Sequence, residues 1–276
     1  MPCHKMLNFL YTTTTGKLLR KIFRAHWLAK CVALYMNSRF SRKRIQPFIK
    51  QHRMSMGEYI VPTGGYTSFN DFFTRKLKTG TRPIDRNPEH IVAPVDGNLC
   101  VVPHIETDTI FYIKQQAFNL EHFLKDAALA RSFADGVMMI FRLAPQDYHR
   151  IHFPLDCTPQ QPRVIHGLLE SVNPAAFGND AHPLLDNERH LIMLETASHG
   201  QIAMIPVGAM LVGSIVSTYT PGKNYRKGDE CGYFAFGGST VVLLFSCNSI
   251  HPIAHFVERS LQGLETAVKM GVVVTT

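Results

Sequence analysis

Short apolar runs separated by glycine and proline fill the chain after about residue 90, and they restrict its fold more than any other feature. Runs of five to seven residues have the length of strands, whereas helices are usually about ten residues or longer. Glycine and proline between the runs are typical of turns in compact β structure. The predicted strands are residues 91–95, 98–102, 109–113, 137–143, 191–195, 201–206, 214–218 and 240–245.

The predicted fold class is α+β, with helices at the N-terminal end followed by a β-rich, mainly antiparallel domain. A helix is predicted at residues 118–132, where Asn119 is a candidate N-cap ahead of Glu121. Residues 173–188, rich in Asn, Pro, Asp and Gly, are predicted to form a surface loop that borders the functional site. Beside this loop, Arg189 is interpreted as either a structural residue or a phosphate ligand. The chain of 276 residues is long enough to bury a substantial core.

Positive charge is concentrated at the N-terminal end of the chain. Residues 1–60 contain 12 Lys/Arg and one acid, Glu58, whereas the remaining residues contain 17 Lys/Arg and 20 acids. The net charge of +8 therefore comes from the first fifth of the chain. A basic stretch confined to one end, without a recognition motif, does not favour nucleic-acid binding.

Part of this basic end has the pattern of an amphipathic helix. Such a helix lies in a membrane interface, with Trp27 at headgroup level and cations facing anionic lipid. Residues 39–44 add further cations, each contributing about 1 kcal/mol near such a surface. The alternative is a basic helix packed on its own domain. In a helical projection the apolar side consists of Leu18, Leu19, Ile22, Phe23 and Ala29, and the cationic side consists of Lys17, Arg20, Lys21 and Arg24.

The location of the protein is also suggested by this segment. Its Ser/Thr, arginine and scarce acids are similar to a mitochondrial presequence. Residues 31–36 and 47–49 continue a helical pattern towards residue 69, so we interpret the basic N-terminal segment as part of the mature protein. A bilayer-spanning helix needs about 20 apolar residues, and none of this length occurs there. Six scattered cysteines without a Cys-x-x-Cys fit a reducing compartment. We expect a peripheral protein on the cytoplasmic face of a bacterial-type membrane.

The tetrad Gly237-Gly238-Ser239-Thr240 offers a reactive arrangement. Gly238 has no Cβ, so its carbonyl can be approached from either face. If a neighbouring base removes its proton, the Ser239 hydroxyl can attack that carbonyl and convert the amide to an ester. β-Elimination would then leave dehydroalanine, and hydrolysis would give a pyruvoyl group at the new N-terminus. The alternative is an ordinary turn that leads into a strand.

Two other segments carry groups suited to acid–base chemistry. Asp96 lies where an apolar run enters an Asp-Gly turn, which is also compatible with an ordinary hairpin. His149 and His152 lie between prolines, which favours a loop or a short turn over a long helix. A His-x-x-His pair can be half of a metal site, but no second ligand cluster with zinc-like spacing accompanies it. Metal binding is therefore the weaker interpretation.

Six sequence blocks lie within roughly residues 69–245. They are Phe-Phe-Thr-Arg-Lys-Leu-Lys (72–78) with Gly-x-Arg-Pro-Ile (80–84), Pro-Val-Asp-Gly (94–97), Tyr-His-Arg-Ile-His-Phe-Pro (148–154), Val-Gly-Ala-Met-Leu-Val-Gly-Ser-Ile (207–215), Lys-Gly-Asp-Glu-x-Gly (227–232) and Gly-Ser-Thr (238–240). These blocks resemble the phosphatidylserine decarboxylases and occur in that family's order. Any one block is weak, whereas six in order are specific. Gly-Gly-Ser-Thr departs from the Leu-Gly-Ser-Thr form common in the family and is similar to one of its branches.

The resemblance implies a role for each reactive residue. Asp96, His152 and Ser239 would form a charge-relay set for self-cleavage between Gly238 and Ser239. In such a set a carboxylate orients the imidazole, the imidazole takes the hydroxyl proton, and the oxygen becomes nucleophilic. His149 would bind the substrate and serve the decarboxylation. An exchange of roles between the two histidines stays open.

The resemblance further implies the products and partners. Cleavage would give a large fragment, 1–238, and a small fragment, 239–276, that stay packed together. A covalent pyruvoyl group from Ser239 would form a Schiff base with phosphatidylserine and accept the electrons left by carbon dioxide. Residues 1–68 would be the membrane-association region and residues 69–276 the catalytic domain. The expected partners are phosphatidylserine, an anionic membrane surface and a second copy of the chain in a homodimer, with no metal and no nucleic acid.

Two alternatives remain for the function. One keeps the pyruvoyl group but acts on a soluble amino acid, which leaves the N-terminal amphipathic cations without a role. The other is an inactive, membrane-associated binding protein that retains the fold. The intact set of Asp96, His152 and Ser239 argues against this second alternative.

Overall fold

Helices come first along the chain and strands follow from Gly97 onward, which confirms the predicted α+β class. The computed structural model describes residues 9–23, 25–105, 111–113, 116–171, 182–209, 214–237 and 239–276. The helices are α1 (Thr14–Phe23), α2 (His26–Asn37), α3 (Ile45–His52), α4 (Phe69–Phe73), α5 (Leu120–Leu124), α6 (Ala127–Ser132), α7 (Pro183–Asp186) and α8 (Ala254–Leu261). The strands are β1 (Gly97–Val102), β2 (Phe111–Ile113), β3 (Gln116–Phe118), β4 (Val137–Leu143), β5 (Arg150–His152), β6 (Thr158–Pro159), β7 (Arg163–Ile165), β8 (Arg189–Glu195), β9 (Gln201–Val207), β10 (Ile215–Ser217), β11 (Glu230–Phe234), β12 (Ser239–Phe245) and β13 (Thr266–Val268).

The largest sheet has the order β13-β1-β4-β12-β9-β8-β6, with β7 paired to β8. Its pairings within the described residues are antiparallel, as predicted. β12 lies between β4 and β9, and all seven of its residues are buried. The register sets Ser239 opposite Leu143, and Thr240 opposite Val207. Residues close to the C-terminal end of the chain therefore supply a central strand of the sheet.

Alternate residues of β12 face two different cores, because successive side chains of a strand point to opposite sides. Val241 and Leu243 pack into a core that the large sheet shares with the three-stranded sheet β10-β11-β5. Val242 and Leu244 pack into a second core that includes side chains of α5 and α6. Ser239 continues the first series, so its side chain is directed between the two sheets.

Most of the predicted strands are confirmed with small differences at their ends. The strand predicted at residues 91–95 is wrong, because these buried residues make an isolated bridge to Val273 and separate hydrogen bonds to residues 152–154 and 271–275, and no continuous ladder. Pro94 has no N–H to donate, which limits a continuous ladder there. Of the strand predicted at 109–113, residues 109–110 lie outside the described part. The confirmed strands are those predicted at 98–102, 137–143, 191–195, 201–206, 214–218 and 240–245.

Two short helices replace the single helix predicted at residues 118–132, which is a correction to that prediction. α5 ends at Lys125, which is left-handed with a φ of 51°. The side chain of Asp126 then caps α6 by accepting a backbone N–H, so a new helix starts there. The predicted cap is confirmed, because the side-chain oxygen of Asn119 accepts a hydrogen bond from His122 N at 2.8 Å.

The predicted loop at residues 173–188 is partly helical. Residues 173–181 lie outside the described residues, whereas α7 occupies Pro183–Asp186. Leu184 and Leu185 of this helix are buried against the α5 side of the sheet, so a surface loop is the wrong prediction for them. Arg189 is 1% exposed and donates to backbone carbonyls, which favours its structural interpretation.

The N-terminal helices pack onto the rest of the chain through an aromatic cluster. Met36 of α2 and Ile45 of α3 are buried against Phe69, Phe72 and Phe73 of α4. The boundary predicted at residue 68 therefore passes through a shared core. None of the helices in the described ranges combines the length and the apolar character needed to cross a bilayer.

α1 is oriented differently from its predicted projection. Arg20, predicted to lie on the lipid-facing cationic side, is 8% exposed and lies 3.6 Å from the carboxylate of Glu170. Ala29 belongs to α2 and is buried, so it does not share the apolar side predicted for it. Leu18 and Ile22 are instead well exposed. The predicted cation Arg24 and the side chain of Phe23 lie outside the described residues.

Candidate active site

Ser239 begins the central strand β12 with its hydroxyl in the interior. The residue is fully buried, and its Oγ has no hydrogen-bond partner among the residues that the structure describes. A buried polar atom without a partner is rare in folded proteins and needs an explanation. The preceding residue, Gly238, lies outside the described residues, so the predicted scissile carbonyl is not described. Gly237, before it, has a φ of 142°, which side chains rarely adopt.

His149 lies at the end of a tight turn and immediately before β5. Asp147 closes the turn, because its carboxylate accepts a hydrogen bond from Ala144 N at 2.7 Å. The backbone carbonyl of Asp147 accepts a hydrogen bond from His149 Nδ1 at 2.9 Å. The other ring nitrogen, Nε2, is buried, and no group in the described part of the chain bonds to it. Burial lowers the pKa of His149 to about 3, so the imidazole is neutral at physiological pH.

Phe73 connects His149 to the segment that precedes Ser239. Its ring lies 4.0 Å from the His149 ring and 5.4 Å from the Phe236 ring, measured between centroids. The carbonyl of His149 also accepts a hydrogen bond from Phe234 N at 2.9 Å. Ser239 follows Phe236 by three residues, so His149 packs beside the segment that leads into Ser239.

His152 ends β5, and both of its ring nitrogens are engaged. Gly228 O accepts from Nδ1 at 2.8 Å, so Nδ1 carries the proton and Nε2 accepts from the Tyr148 hydroxyl at 3.0 Å. The carbonyl of Gly228 is fixed by its backbone, whose φ of +86° favours glycine. A Cβ there would lie 2.8 Å from Ile84 Cγ1. The Lys-Gly-Asp-Glu block therefore supplies the carbonyl that orients His152.

The predicted hydrogen bond between Asp96 and His152 is not formed in the described residues. Asp96 instead accepts bonds from Met270 N at 2.8 Å and from Arg82 Nη2 at 3.1 Å. The two residues are still close, because His152 N donates to Pro94 O at 2.9 Å. Burial lowers the pKa of His152, and the Asp96 charge partly opposes this. Asp96 therefore acts on His152 through its field and not through a direct bond.

The sequence comparisons identify the family to which this site belongs. The sequence model of the family described as phosphatidylserine decarboxylase matches residues 69–274. The chain belongs to the phosphatidylserine decarboxylase family. The family that the six blocks suggested is thereby confirmed, and with it the class of decarboxylating enzymes.

Curated relatives from several bacteria match almost the whole chain, and each is named phosphatidylserine decarboxylase proenzyme. The protein of Chlamydia pneumoniae is 42% identical over 97% of this chain and 89% of its own length. That of Chlamydia muridarum is 40% identical over 98% of this chain and 90% of its own length. That of Clostridium kluyveri is 40% identical over 97% of this chain and 90% of its own length.

The surroundings of Ser239 fit a covalent pyruvoyl cofactor made from the chain itself. The name proenzyme, borne by the relatives, fits a precursor that is processed. A pyruvoyl group at position 239 would consume the serine hydroxyl, and the Ser239 Oγ is buried with no partner in the described ranges. A serine with a purely structural role would be expected to satisfy its hydroxyl in such a place.

Several residues of the site were not predicted from the sequence. Tyr148 and the Gly228 carbonyl hold His152, and the Asp147 carbonyl holds His149. Arg75 donates to that same Asp147 carbonyl at 3.0 Å. These residues all lie in or beside the six blocks, so their place in the sequence was the available signal. Two of the partners are backbone atoms, which side-chain identity does not reveal.

Proposed function

We propose that this chain converts phosphatidylserine to phosphatidylethanolamine with a pyruvoyl group made from Ser239. The single observation that carries the proposal is the buried Ser239 Oγ at the start of a central strand, which no described residue bonds, in a chain 40–42% identical to named proenzymes. The neutral His149 with its free Nε2 lies on a neighbouring segment. Family membership supports the reaction, and the site supports the position of the cofactor.

Self-cleavage would begin with transfer of the Ser239 Oγ proton to a histidine. Oγ then bonds to the carbonyl carbon of Gly238, and the C–N bond between the two residues breaks as its nitrogen takes up a proton. The product is an ester. Removal of the Cα proton of residue 239 expels the Gly238 carboxylate and leaves dehydroalanine, which water hydrolyses to a pyruvoyl group and ammonia.

We assign the proton transfers of self-cleavage to His152. Gly228 O holds its Nδ1–H, as a carboxylate does in a charge-relay set, and leaves Nε2 as the basic atom. The negative charges of Glu230 and Asp96 both favour the imidazolium, against the effect of burial. The Tyr148 hydroxyl that now faces Nε2 would have to turn away or pass on its own proton.

We assign substrate binding and the proton of decarboxylation to His149. A pyruvoyl group supplies a carbonyl that condenses with the substrate amine and accepts the electron pair left when carbon dioxide departs. The substrate carbon must afterwards gain one proton, which the neutral imidazole can deliver only after its bare nitrogen has taken that proton up from solvent. The free Nε2 of His149 is suited to this because no described protein group occupies it.

The two fragments would stay together after cleavage. β12 belongs to fragment 239–276, and it pairs along its length with β4 and β9 of fragment 1–238. Val241, Leu243 and Phe245 are fully buried in the core between the sheets. Separation would expose a whole apolar strand, so the cut protein should behave as one particle.

We also propose that α1 and α2 dock the protein on an anionic membrane surface as a peripheral protein. Leu18 is 64% exposed and Ile22 47% exposed, one helical turn apart on α1. Trp27 at 61% and Leu34 at 75% share one side of α2. A lipid substrate gives these apolar side chains a role that a soluble amino acid does not. Phe40, 77% exposed, extends the same apolar set among the cations of residues 39–44.

The test of the reaction uses purified full-length protein. We expect release of carbon dioxide and formation of phosphatidylethanolamine from phosphatidylserine in mixed vesicles, with free serine inert. Release of carbon dioxide from serine but not from phosphatidylserine would favour a decarboxylase of soluble amino acids. Release of carbon dioxide from neither substrate would refute the proposal. Replacing His152 by Ala should block cleavage, whereas His149→Ala should cleave but not turn over. The reverse pattern would exchange the two assignments.

The membrane proposal is tested by point substitution. Deleting residues 1–60 would remove α2 and α3 from the cluster around Phe69 and risk unfolding. Leu18→Glu with Ile22→Glu should weaken flotation with anionic vesicles, because each places a charge in the interface. Leu261→Glu is the control, since Leu261 is 73% exposed but lies on α8. Equal flotation of both proteins would refute the docking role.

A further inference from the structure

Arg75 is a buried cation whose partners are backbone carbonyls. Its side chain is 2% exposed, and its Nη2 donates to Gln146 O at 2.8 Å and to Asp147 O at 3.0 Å. Its guanidinium lies over the Tyr59 ring, 4.2 Å from the centroid. Among the described residues no carboxylate pairs with it, and its Nε is buried without a partner. The Asp147 carboxylate acts on it only through its field, and a buried charge without a direct ion pair is destabilising, so its presence beside the site needs an explanation.

The carbonyl of Asp147 joins Arg75 to His149. It accepts hydrogen bonds from both Arg75 Nη2, at 3.0 Å, and His149 Nδ1, at 2.9 Å. A carbonyl oxygen cannot donate, so the second bond keeps the proton on Nδ1 and leaves Nε2 bare. The position of one carbonyl therefore decides which nitrogen of His149 faces the site. Two donors on one oxygen fix that position better than the imidazole alone.

The charge of Arg75 also disfavours a second proton on His149. Burial is the main reason that the pKa of His149 lies at about 3, and the nearby guanidinium lowers the pKa further. Hydrogen bonding to the Asp147 carbonyl acts in the opposite direction. Arg75 donates to this same carbonyl, so its positive charge counteracts the rise in the His149 pKa that this hydrogen bond produces.

We propose that Arg75 is a positioning residue for decarboxylation, which holds the Asp147 carbonyl where it keeps His149 in the neutral tautomer with a bare Nε2. The inference rests on the proposed role of His149 toward the substrate. A bare Nε2 can take a proton or accept a hydrogen bond from the substrate, whereas the other tautomer presents an N–H. Arg75 acts through the carbonyl and is not itself a catalytic residue.

Arg189 provides a matched control for the purely structural effects of such a residue. It is also almost fully buried, donates to backbone carbonyls such as Phe123 O at 2.7 Å, and stacks on the Phe123 ring at 5.2 Å. It pairs in register with Val207, which faces the helix side of the sheet, opposite to the Ser239 side chain. Loss of Arg189 should therefore lower stability without changing His149.

The first test reads the tautomer directly and needs no activity. In the uncleaved Ser239→Ala protein, ¹⁵N chemical shifts of the His149 ring should show a single Nδ1–H form at neutral pH. Adding Arg75→Gln should populate the Nε2–H form, because the amide removes the charge and shortens the reach to the carbonyls. Adding Arg75→Lys, or Arg189→Gln, should preserve the single form.

Three results of this test would overturn the proposal. The first is an Nε2–H form in the Ser239→Ala parent, which needs no Arg75 variant and is decisive even if Arg75→Gln does not fold. The second is an unchanged single tautomer in Arg75→Gln. The third is the same tautomer mixture in Arg189→Gln, which would make the effect one of general destabilisation.

The second test follows turnover in the matured enzyme. Loss of a charged hydrogen bond corresponds to a roughly 10- to 150-fold lower kcat for Arg75→Gln. Because removal of a nearby cation raises the pKa of His149, the acid limb of the pH profile should move to higher pH. Arg75→Lys should keep the acid limb in place; equal movement in Arg189→Gln would contradict the proposal. A wild-type protein inactive on phosphatidylserine would refute the proposed function, while the tautomer test would still decide the role of Arg75.

Discussion

Replacing Asp96 by Asn should slow self-cleavage moderately but not abolish it. Asn has the shape of Asp, and its side-chain oxygen can still accept the bond from Met270 N, which measures 2.8 Å in the native protein. Arg82 loses one anion but keeps Glu58, whose carboxylate lies 2.8 Å from its Nη1. The substitution therefore removes mainly one of the two negative charges that favour protonation of His152, and it leaves that of Glu230 in place.

The factor by which cleavage slows in Asp96→Asn distinguishes two roles of Asp96: a charge that acts on His152 from a distance, or a carboxylate bonded directly to it. One unit charge acting without direct contact contributes about 1–2 kcal/mol at an effective dielectric constant of about 20. This corresponds to roughly 5- to 30-fold slower cleavage. In serine-protease triads, where the carboxylate bonds directly to the histidine, the same substitution costs roughly 10,000-fold. Asp96 is bonded to Arg82 and Met270, so the smaller effect is expected.

The assay is a time course of precursor and fragments on denaturing gels after cell-free synthesis, repeated across pH. Cleavage needs neutral His152, so its rate falls as the pH drops through the pKa of that residue. Loss of the Asp96 anion lowers this pKa further, which should move the acid limb to lower pH in Asp96→Asn. Glu58→Gln is the control, because it removes the other anion on Arg82. A loss above roughly 1,000-fold, or no loss, would refute the reasoning.

Two further substitutions test one buried contact near the N-terminal helices and one contact that orients His152. Tyr11→Phe removes the hydroxyl that donates to the buried Glu170 at 2.8 Å, so urea unfolding should show a loss of about 1.5–3 kcal/mol. Tyr35→Phe, whose hydroxyl only accepts from exposed Arg44, is the control, and equal losses would contradict the buried contact. Gly228→Ala should lower the free energy of unfolding by about 1–3 kcal/mol, because its φ of +86° is strained for alanine. It should also slow cleavage, because the new Cβ would lie 2.8 Å from Ile84 Cγ1 and displace the carbonyl that holds His152. Gly222→Ala has a similar φ of +77° with open space around it, so cleavage as slow as in Gly228→Ala would contradict that explanation.

The large sheet could be predicted because its long strands are apolar throughout. β4, β9 and β12 are buried on both faces, so hydrophobic runs mark them in the sequence. β5 could not be predicted in this way, since Arg-Ile-His has no apolar pattern. It is a strand because β11, about 80 residues later, pairs with it. Tertiary pairing of this kind has no local signal.

The reactive residues of the site were suggested by the sequence, but their contacts were not. Ser239 and His149 are buried as their chemistry requires, yet the atoms that orient the histidines are the carbonyls of Asp147 and Gly228. A backbone carbonyl is present at every residue, so no residue type marks it. The sequence also favoured a bond from Asp96 to His152, whereas Arg82 engages that carboxylate.

The orientation of α1 likewise could not be predicted from the local sequence. A helical projection separates charged from apolar side chains, but it does not say which side faces the protein. Arg20 faces inward because Glu170, 150 residues later, is buried beside it and needs a cation. Leu18 and Ile22 are left exposed as a result. The partner of a charged residue can lie anywhere along the chain.

Intact mass spectrometry of the purified, active protein tests the central proposal most directly. The account predicts two species, residues 1–238 and residues 239–276, the smaller one bearing an N-terminal carbonyl that hydroxylamine traps. Ser239→Ala should give one uncut chain. Full activity from a preparation that contains only the uncut mass, with no carbonyl to trap, would contradict it.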